Sequence, residues 1–485
     1  MQGIATSTRH VVCALVASAL IVTLAYAYVI AFNVGWRSVV VVNGGVIFFF
    51  LCGVFIRNLR AFLLFSVVFC ISLGYGYYLI FQPVVESESQ PHSMGIRIEV
   101  VDVLLAMLYA QWALRASGNR MQPLRLTLGH PLGTILLLWI FYVFVWGLIH
   151  ATHFKYTAYS VIDLLKGFML YFYLANNVSD ISDLKIVVYG LFASTVAHAL
   201  YVCFQYSTGL NLPLQGEFTH FVPLEGVRPA GFFGTWDGAA VMMAVVFPVG
   251  LAYLLVIQDP WQRRLAMLGI GVVFIGILLT KARATWLAVL ISTATVIWLT
   301  HFRDRVSMKT LVKVVAVSAI LVAPAVPFIA TRLITGTYGE NRMPLVYTAI
   351  EMIKDNWVSG VGLGNYIFHM QRYLSPTLLE EWAFTVHNEY LMWLAETGVV
   401  GFSLYYLLLG LAIAKLWKMT RSSRAWIFVV SAGLCAALIA SLPNRMLTFY
   451  HFTPTFLQYC TVLALTVVME RLDRLEAGIT PPSGK

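Results

Sequence analysis

Apolar runs recur along the whole chain, separated by short polar loops, until the rhythm breaks at Thr331. Each run is about 17 to 25 residues, enough for a helix to cross roughly 30 Å of hydrocarbon. The pattern predicts spans at 10–32, 38–56, 61–81, 98–114, 131–149, 157–176, 186–207, 237–257, 265–280, 285–301, 311–330, 399–417, 425–443 and 452–470. The expected fold class is therefore all-α, a polytopic transmembrane helical bundle of about 12–14 spans. The exception is Thr331 to Gly401, a polar insertion containing Arg342, the turn Ser359-Gly-Val-Gly-Leu-Gly-Asn365 and the segment His387 to Gly398. Four parts follow: a membrane region at 1–330, a loop subdomain at 331–398 carrying the active site, closing helices at 399–470 and a tail at 471–485.

Composition narrows this further. Hydrophobic residues make up 60% of the 485 and charged residues 11%, with mean hydropathy +0.80, more apolar surface than a water-soluble interior could take in. The first run is too long for a cleaved signal peptide and reads as a retained span. All six cysteines fall in apolar runs without paired spacing, which argues against disulfides and zinc. A net charge of +10 would indicate nucleic acid only if the basic residues clustered on one soluble surface, and they lie in short loops instead. By alternate loops, 20 of the 32 lysines and arginines share one side with the termini and 11 lie on the other. The positive-inside bias then predicts cytoplasmic termini and an external 331–398 loop.

Within that frame, a few polar residues stand out. Arg283, in Leu279-Thr-Lys-Ala-Arg-Ala-Thr-Trp286, sits at the outer end of a span where topology does not call for it. An arginine snorkelling at a helix end is the ordinary reading. Arg342 opens an amphipathic stretch whose Leu345, Ile350, Met352 and Ile353 share a face, as in a helix lying on a membrane surface. A cation there opposes the helix dipole, which favours an anionic ligand nearby. Gly360-Val-Gly-Leu-Gly364 lacks the spacing of a dinucleotide fingerprint. Its glycines, Gly362 and Gly364 among them, permit tight turns or close approach of backbone N–H groups to an anion. His387 precedes Asn388 and Glu389, which open a helix stopped by Thr397-Gly398. The dipole there favours a neutral imidazole able to accept a proton, and the first N–H groups suit a phosphate. Arg228, in another outward loop, is as readily an interfacial arginine as a ligand. Asp163 and Lys166, three apart, read as a structural pair. No metal-ligand cluster, nucleophile elbow or phosphate loop of the Walker type is present in the sequence. Arginine forks suit a diphosphate, so the residues indicate a metal-free, cofactor-free site for a lipid-linked diphosphate at one membrane face.

Asn356-Trp-Val-Ser-Gly-Val-Gly-Leu-Gly-Asn-Tyr366, His387-Asn-Glu-Tyr-Leu391 and Glu396-Thr-Gly-Val-Val-Gly401 together resemble the O-antigen ligase and polymerase superfamily. Thr280 to Leu287 looks like that family's Ser-Arg-Gly element, and Val227 to Gly234 is similar to its Arg-x-x-Gly-x-Phe element. Trp357 departs from the family, where many members have proline. The resemblance implies a GT-C-like inner-membrane glycosyltransferase, metal-independent and inverting, with a periplasmic site. It would move a glycan from undecaprenyl diphosphate to lipid A–core in a ligase, or to a second lipid-linked repeat unit in a polymerase. By motif, Arg283 and Arg342 would hold the leaving diphosphate and His387 would activate the acceptor hydroxyl. A transporter of lipid-linked sugar would instead show interrupted helices and midplane charges, and a structural subunit would tolerate loss of His387. A transferase is favoured, with ligase slightly ahead of polymerase.

Overall fold

The computed structural model describes residues 58–74, 76–82, 93–118, 126–209, 229–233, 235–305, 342–374, 385–447 and 453–476, with 307–309 and 312 between them. The spans expected at 10–32 and 38–56 lie outside the described residues, as does all but one residue of 311–330. Two compact units are distinguished, one formed by 1–67 with 103–123 and the other by 68–102 with 124–485. In the first, the described residues form most of α1 (Leu59–Phe69) and α2 (Val100–Gly118).

The second unit is a helical bundle. Its long helices are α3 (Leu132–His150), α4 (Phe154–Asn177), α5 (Ile181–Thr208), α6 (Trp236–Val256), α7 (Pro260–Leu279) and α8 (Arg283–Phe302). After the insertion come α11 (Glu389–Met419), α12 (Ala425–Asn444) and α13 (Thr453–Glu476). These nine, among the described residues, are long and apolar enough to cross a membrane, and each overlaps an expected span. The fold is an all-α polytopic helical bundle. Met243, Phe247, Val273, Ile277, Val296, Leu299, Phe428, Val429 and Ala432 form one buried core where α6, α7, α8 and α12 meet. Cys435 and Cys460 are buried free thiols in α12 and α13, as expected of small apolar fillers.

Cross-links identify the two ends of the bundle. At one end Arg305 donates to the carbonyl of Ser422 at 2.6 Å, Ser422 Oγ to Asp473 at 2.6 Å, and Arg471 to the carbonyl of Ala175 at 2.8 Å. Arg303, Arg421, Arg424 and Arg474 belong to the same helix termini, so this is the basic end. At the opposite end the N–H of His153 meets Asn365 Oδ1 at 2.8 Å and the N–H of Glu389 meets the carbonyl of Arg445 at 2.8 Å.

One expectation fails instructively. The run 61–81 was expected to be a span, but the helix ends at Phe69. A 3-10 turn, Cys70–Leu73, follows and is closed by left-handed Gly74. Strand β1 (Gly76–Phe81) then pairs antiparallel with β2 (Gly95–Glu99), with an irregularity between Tyr78 and Ile80. Tyr77-Tyr-Leu-Ile-Phe81 is rich in the aromatic and β-branched types that suit a pleated surface. Hydropathy counts apolar groups without distinguishing a helix from a strand, which is why the break escapes it. The expected span at 98–114 likewise begins as β2 before α2. Lys166, midway along α4, reaches this hairpin and bonds the carbonyl of Arg97. It also pairs with Asp163 at 3.4 Å, as its spacing predicted, and with Asp102 at 3.1 Å. Three interactions on one ammonium make this a fixed structural node, compensating a charge at membrane depth.

Candidate active site

The polar insertion contributes α9 (Arg342–Asn356) and the short α10 (Tyr366–Met370). Leu345, Thr348, Ala349 and Met352 are buried along α9. That face packs on protein rather than on a membrane surface: Ala349 and Met352 join Val361, Tyr366, Met370, Val386, Met392 and Ala395 in a small core. Ile350 and Ile353, expected on the same face, are only half-buried, because the contact follows positions 345, 348, 349 and 352. The consequence is positional. Packing α9 onto the first turns of α11 brings Arg342, its first residue, into electrostatic reach of His387.

The helix α11 is interrupted where the sequence placed a stop. Gly398 adopts φ 63° and ψ −176°, outside the helical region. A break of this kind leaves carbonyls and an amide without helical partners. The glycine-rich turn supplies them: Val361 N–H donates to the carbonyl of Ala395 and Gly362 N–H to that of Glu396, both at 2.9 Å. In return Val399 N–H donates to the carbonyl of Trp357 at 2.9 Å. The contact leaves no room for side chains. A Cβ on Gly398 would lie 2.0 Å from the carbonyl oxygen of Val358, and one on Gly360 would lie 2.4 Å from that of Glu396.

The role expected for two glycines is corrected accordingly. The N–H of Gly362 is engaged by Glu396 and does not point at an anion. Gly364 packs on α4, where a Cβ would come within 3.1 Å of Ser160 Oγ. The next residue, Asn365, is fully buried and ties the turn to α4, donating from Nδ2 to Thr157 Oγ1 at 3.0 Å. Glu396, also buried, accepts from the N–H of Tyr366 at 3.2 Å.

At the start of α11, Asn388 caps the helix by accepting from the N–H of Leu391 at 3.2 Å. Glu389, expected to touch substrate, is wholly buried and ion-paired with Arg445. Its Oε1 also accepts from Trp393 Nε1 at 3.0 Å and Tyr405 OH at 3.2 Å, and Arg445 donates to Tyr405 OH at 2.8 Å. The cause is electrostatic: a buried carboxylate needs a cation and donors, and Arg445 at the end of α12 supplies the first while Trp393 and Tyr405 of α11 itself supply the second. Arg445 is the partner of Glu389 that loop-counting did not single out. The clue available in the sequence was a basic residue on the sparsely charged side, 56 positions from its partner.

His387 lies just before this cap. Its Nδ1 is 3.1 Å from the carbonyl of Thr385, which fixes the tautomer with the proton on Nδ1 and the lone pair on Nε2. Burial, and then the charge of Arg342, hold the imidazole below its usual range. Asp237, at the start of α6, and the Thr385 bond pull the other way. The structure therefore groups His387, Arg342 and Asp237. Arg283 is the first residue of α8, at the same end of the bundle. The preceding turn is tied by Thr280 Oγ1 to the carbonyl of Ile277 at 2.7 Å and by Trp286 Nε1 to the same carbonyl at 3.2 Å. Both arginines stand at helix N-termini, where they add to a positive dipole rather than offset it. Arg228 lies outside the described residues. The segment after it is anchored on α5, where Gly231 N–H donates to Gln205 Oε1 at 2.8 Å and Phe232 stacks on Tyr201 at 4.4 Å.

His387 thus lies within electrostatic reach of Arg342, and Arg283 stands at the same bundle end. Residues 268–406 match the O-antigen ligase family. The matched segment runs from within α7 into α11, includes Arg283, Arg342 and His387, and supports the likeness to the O-antigen ligase and polymerase superfamily. The match supports a function of the O-antigen ligase or polymerase type, with lipid-linked glycans as the general substrate class, and with the apolar helices it indicates a multi-pass membrane protein. No match was found among curated proteins.

Proposed function

We propose that the chain is a glycosyltransferase of the O-antigen ligase type. It transfers a glycan from undecaprenyl diphosphate to lipid A–core at the periplasmic face of the inner membrane, with both termini cytoplasmic. The observation that carries this reading is the juxtaposition of His387 and Arg342 within the family-matched segment. The concentration of arginine at the opposite end of the bundle supports the orientation. The subdomain at 331–398 then stands outside the membrane and carries the site.

In the reaction the acceptor hydroxyl oxygen attacks the anomeric carbon, and the bond from that carbon to the diphosphate oxygen breaks with inversion. The hydroxyl proton passes to His387 Nε2, and the bonding electrons leave on the diphosphate. A depressed imidazole pKa keeps His387 unprotonated and ready at neutral pH. Arg283, Arg342 and Arg228 bind the diphosphate and stabilise the charge that develops on it. Asn388 holds the helix start, and Glu389, through Arg445, fixes the backbone from which His387 projects.

The test is turnover of undecaprenyl-diphosphate glycan by purified protein, offered lipid A–core or a second glycan-lipid, for wild type, His387→Ala, Arg283→Ala and Arg342→Ala. Product on lipid A–core that is lost in the three variants supports the ligase and this site. Lengthening of the lipid-linked glycan instead makes the protein a polymerase. Undiminished turnover in all three variants refutes the residue assignment.

A further inference from the structure

A cleft of about 360 Å³ opens near the starts of α5, α7 and α12, and at its inner end Val245, Gln458 and Val462 also line a second pocket that reaches Tyr405 and Arg445. Its walls come from five helices, with Phe192 of α5, Val246 and Val249 of α6, Ala266 of α7, and Leu434 and Leu465 of α12 and α13 among them. The volume is in the range of small-molecule sites. Apart from Gln262 at the mouth and the buried Gln458 at the inner end, the lining is aliphatic and aromatic, so water would find few of the polar partners it needs there. An empty space would forfeit the dispersion contacts of all five helices. At membrane depth, the material that satisfies such walls is a hydrocarbon chain.

The mouth identifies the lipid that owns the chain. Tyr189 and Leu265 are exposed, and Tyr253 hydrogen-bonds Gln262 there. Lys185 sits over the Trp426 ring at 5.0 Å, beside the opening. Arg263 and Arg264 are exposed on the turn that carries Gln262. The nearby carboxylates are engaged as helix caps: Asp180 accepts from the N–H of Asp183 at 2.8 Å and Asp259 from that of Gln262 at 2.7 Å. Asp183, buried nearby, accepts from the N–H and hydroxyl of Ser179. These carboxylates keep their charge but are set against helix N-termini, whose dipoles they offset. That leaves Lys185, Arg263 and Arg264 as the cations at the headgroup level, where tyrosine and tryptophan at an apolar opening are also suited.

We propose that this cleft is a binding site for an anionic glycerophospholipid of the leaflet at the basic end. One acyl chain enters between α5, α6, α7, α12 and α13, and the phosphate lies against Lys185. The site joins helices far apart in sequence, and none of His387, Arg283 and Arg342 lines it.

Delipidated protein in detergent is titrated with phosphatidylglycerol, phosphatidylcholine or polyprenyl phosphate, and adducts are followed by native mass spectrometry. Phosphatidylglycerol is expected to bind at least 10-fold tighter than phosphatidylcholine, and Lys185→Ala to remove most of that preference. Val246→Phe, which fills the cleft, is expected to weaken both phospholipids. Independently of any variant, phosphatidylglycerol carrying a photoreactive acyl chain should label wild-type peptides spanning 188–192, 245–253 and 426–434. Equal affinity for the two phospholipids, or labelling confined to other surfaces, overturns the proposal. Displacement of phosphatidylglycerol by equimolar polyprenyl phosphate also overturns it, and would mark the cleft as a seat for the carrier's tail.

Discussion

Replacing Gly398 with alanine tests whether the glycine-rich turn is a structural clasp or an open loop. An alanine at φ 63° and ψ −176°, a region essentially reserved for glycine, costs about 1–3 kcal/mol in backbone strain. Its Cβ, 2.0 Å from the carbonyl oxygen of Val358, also forces the turn off α11. The bonds Val361 to Ala395, Gly362 to Glu396 and Val399 to Trp357 are then lost, at about 1 kcal/mol each. The sum is about 4–6 kcal/mol of local stability. At about 1.4 kcal/mol per tenfold, amides of the clasp should exchange about 10³–10⁴ times faster. Hydrogen exchange by mass spectrometry on peptides covering 357–365 and 394–400 reads this directly. Turnover should fall with it, since the same packing holds Arg342 near His387. Gly410→Ala is the control, because a Cβ there meets nothing within 4 Å. Equal protection in Gly398→Ala and Gly410→Ala would refute the clasp.

Other outcomes follow from the same geometry. Because His387 must be neutral to act as base and its folded pKa is depressed, the acid limb of kcat/KM should lie below pH 6.5. Asp237→Asn removes an attracting charge and should move that limb lower still, so an upward shift in the pH–rate profile would refute the pairing. The same depression means unfolded chains bind a proton that folded ones do not. The contribution of His387 to stability should be complete above pH 6.5 and decline as pH falls below it, which thermal melts across pH 5–7 would detect. Glu389→Ala leaves Arg445 buried without its carboxylate and should cost about 3–5 kcal/mol in thermal unfolding. Joint replacement of Glu389 and Arg445 by methionine should cost less than either single change, and strict additivity would argue against a coupled pair. Arg283→Lys keeps charge but loses the fork, so it should retain only part of the wild-type rate while Arg283→Ala loses nearly all of it.

Much of the bundle was legible because membrane crossing is a local property. About twenty consecutive apolar residues are enough to specify a span, and the nine long helices among the described residues each overlap one read from hydropathy alone. The stop at Thr397-Gly398 and the pairing of Asp163 with Lys166 were equally local, set by one glycine and by a three-residue spacing. The family resemblance rested on short motifs and needed no fold. Tertiary structure decided what depends on segments distant in sequence. It broke 61–81 into a helix and a strand, because β2 was there to pair with β1. It turned the apolar face of α9 inward, onto α11, and by that packing brought Arg342 within electrostatic reach of His387. It committed Glu389 to Arg445 and the amides of the glycine turn to the kink of α11. Those residues were visible in the sequence as types suited to anion binding. Which ones remained available depended on hydrogen bonds and charges supplied from elsewhere in the chain, and a buried polar group must satisfy those partners first.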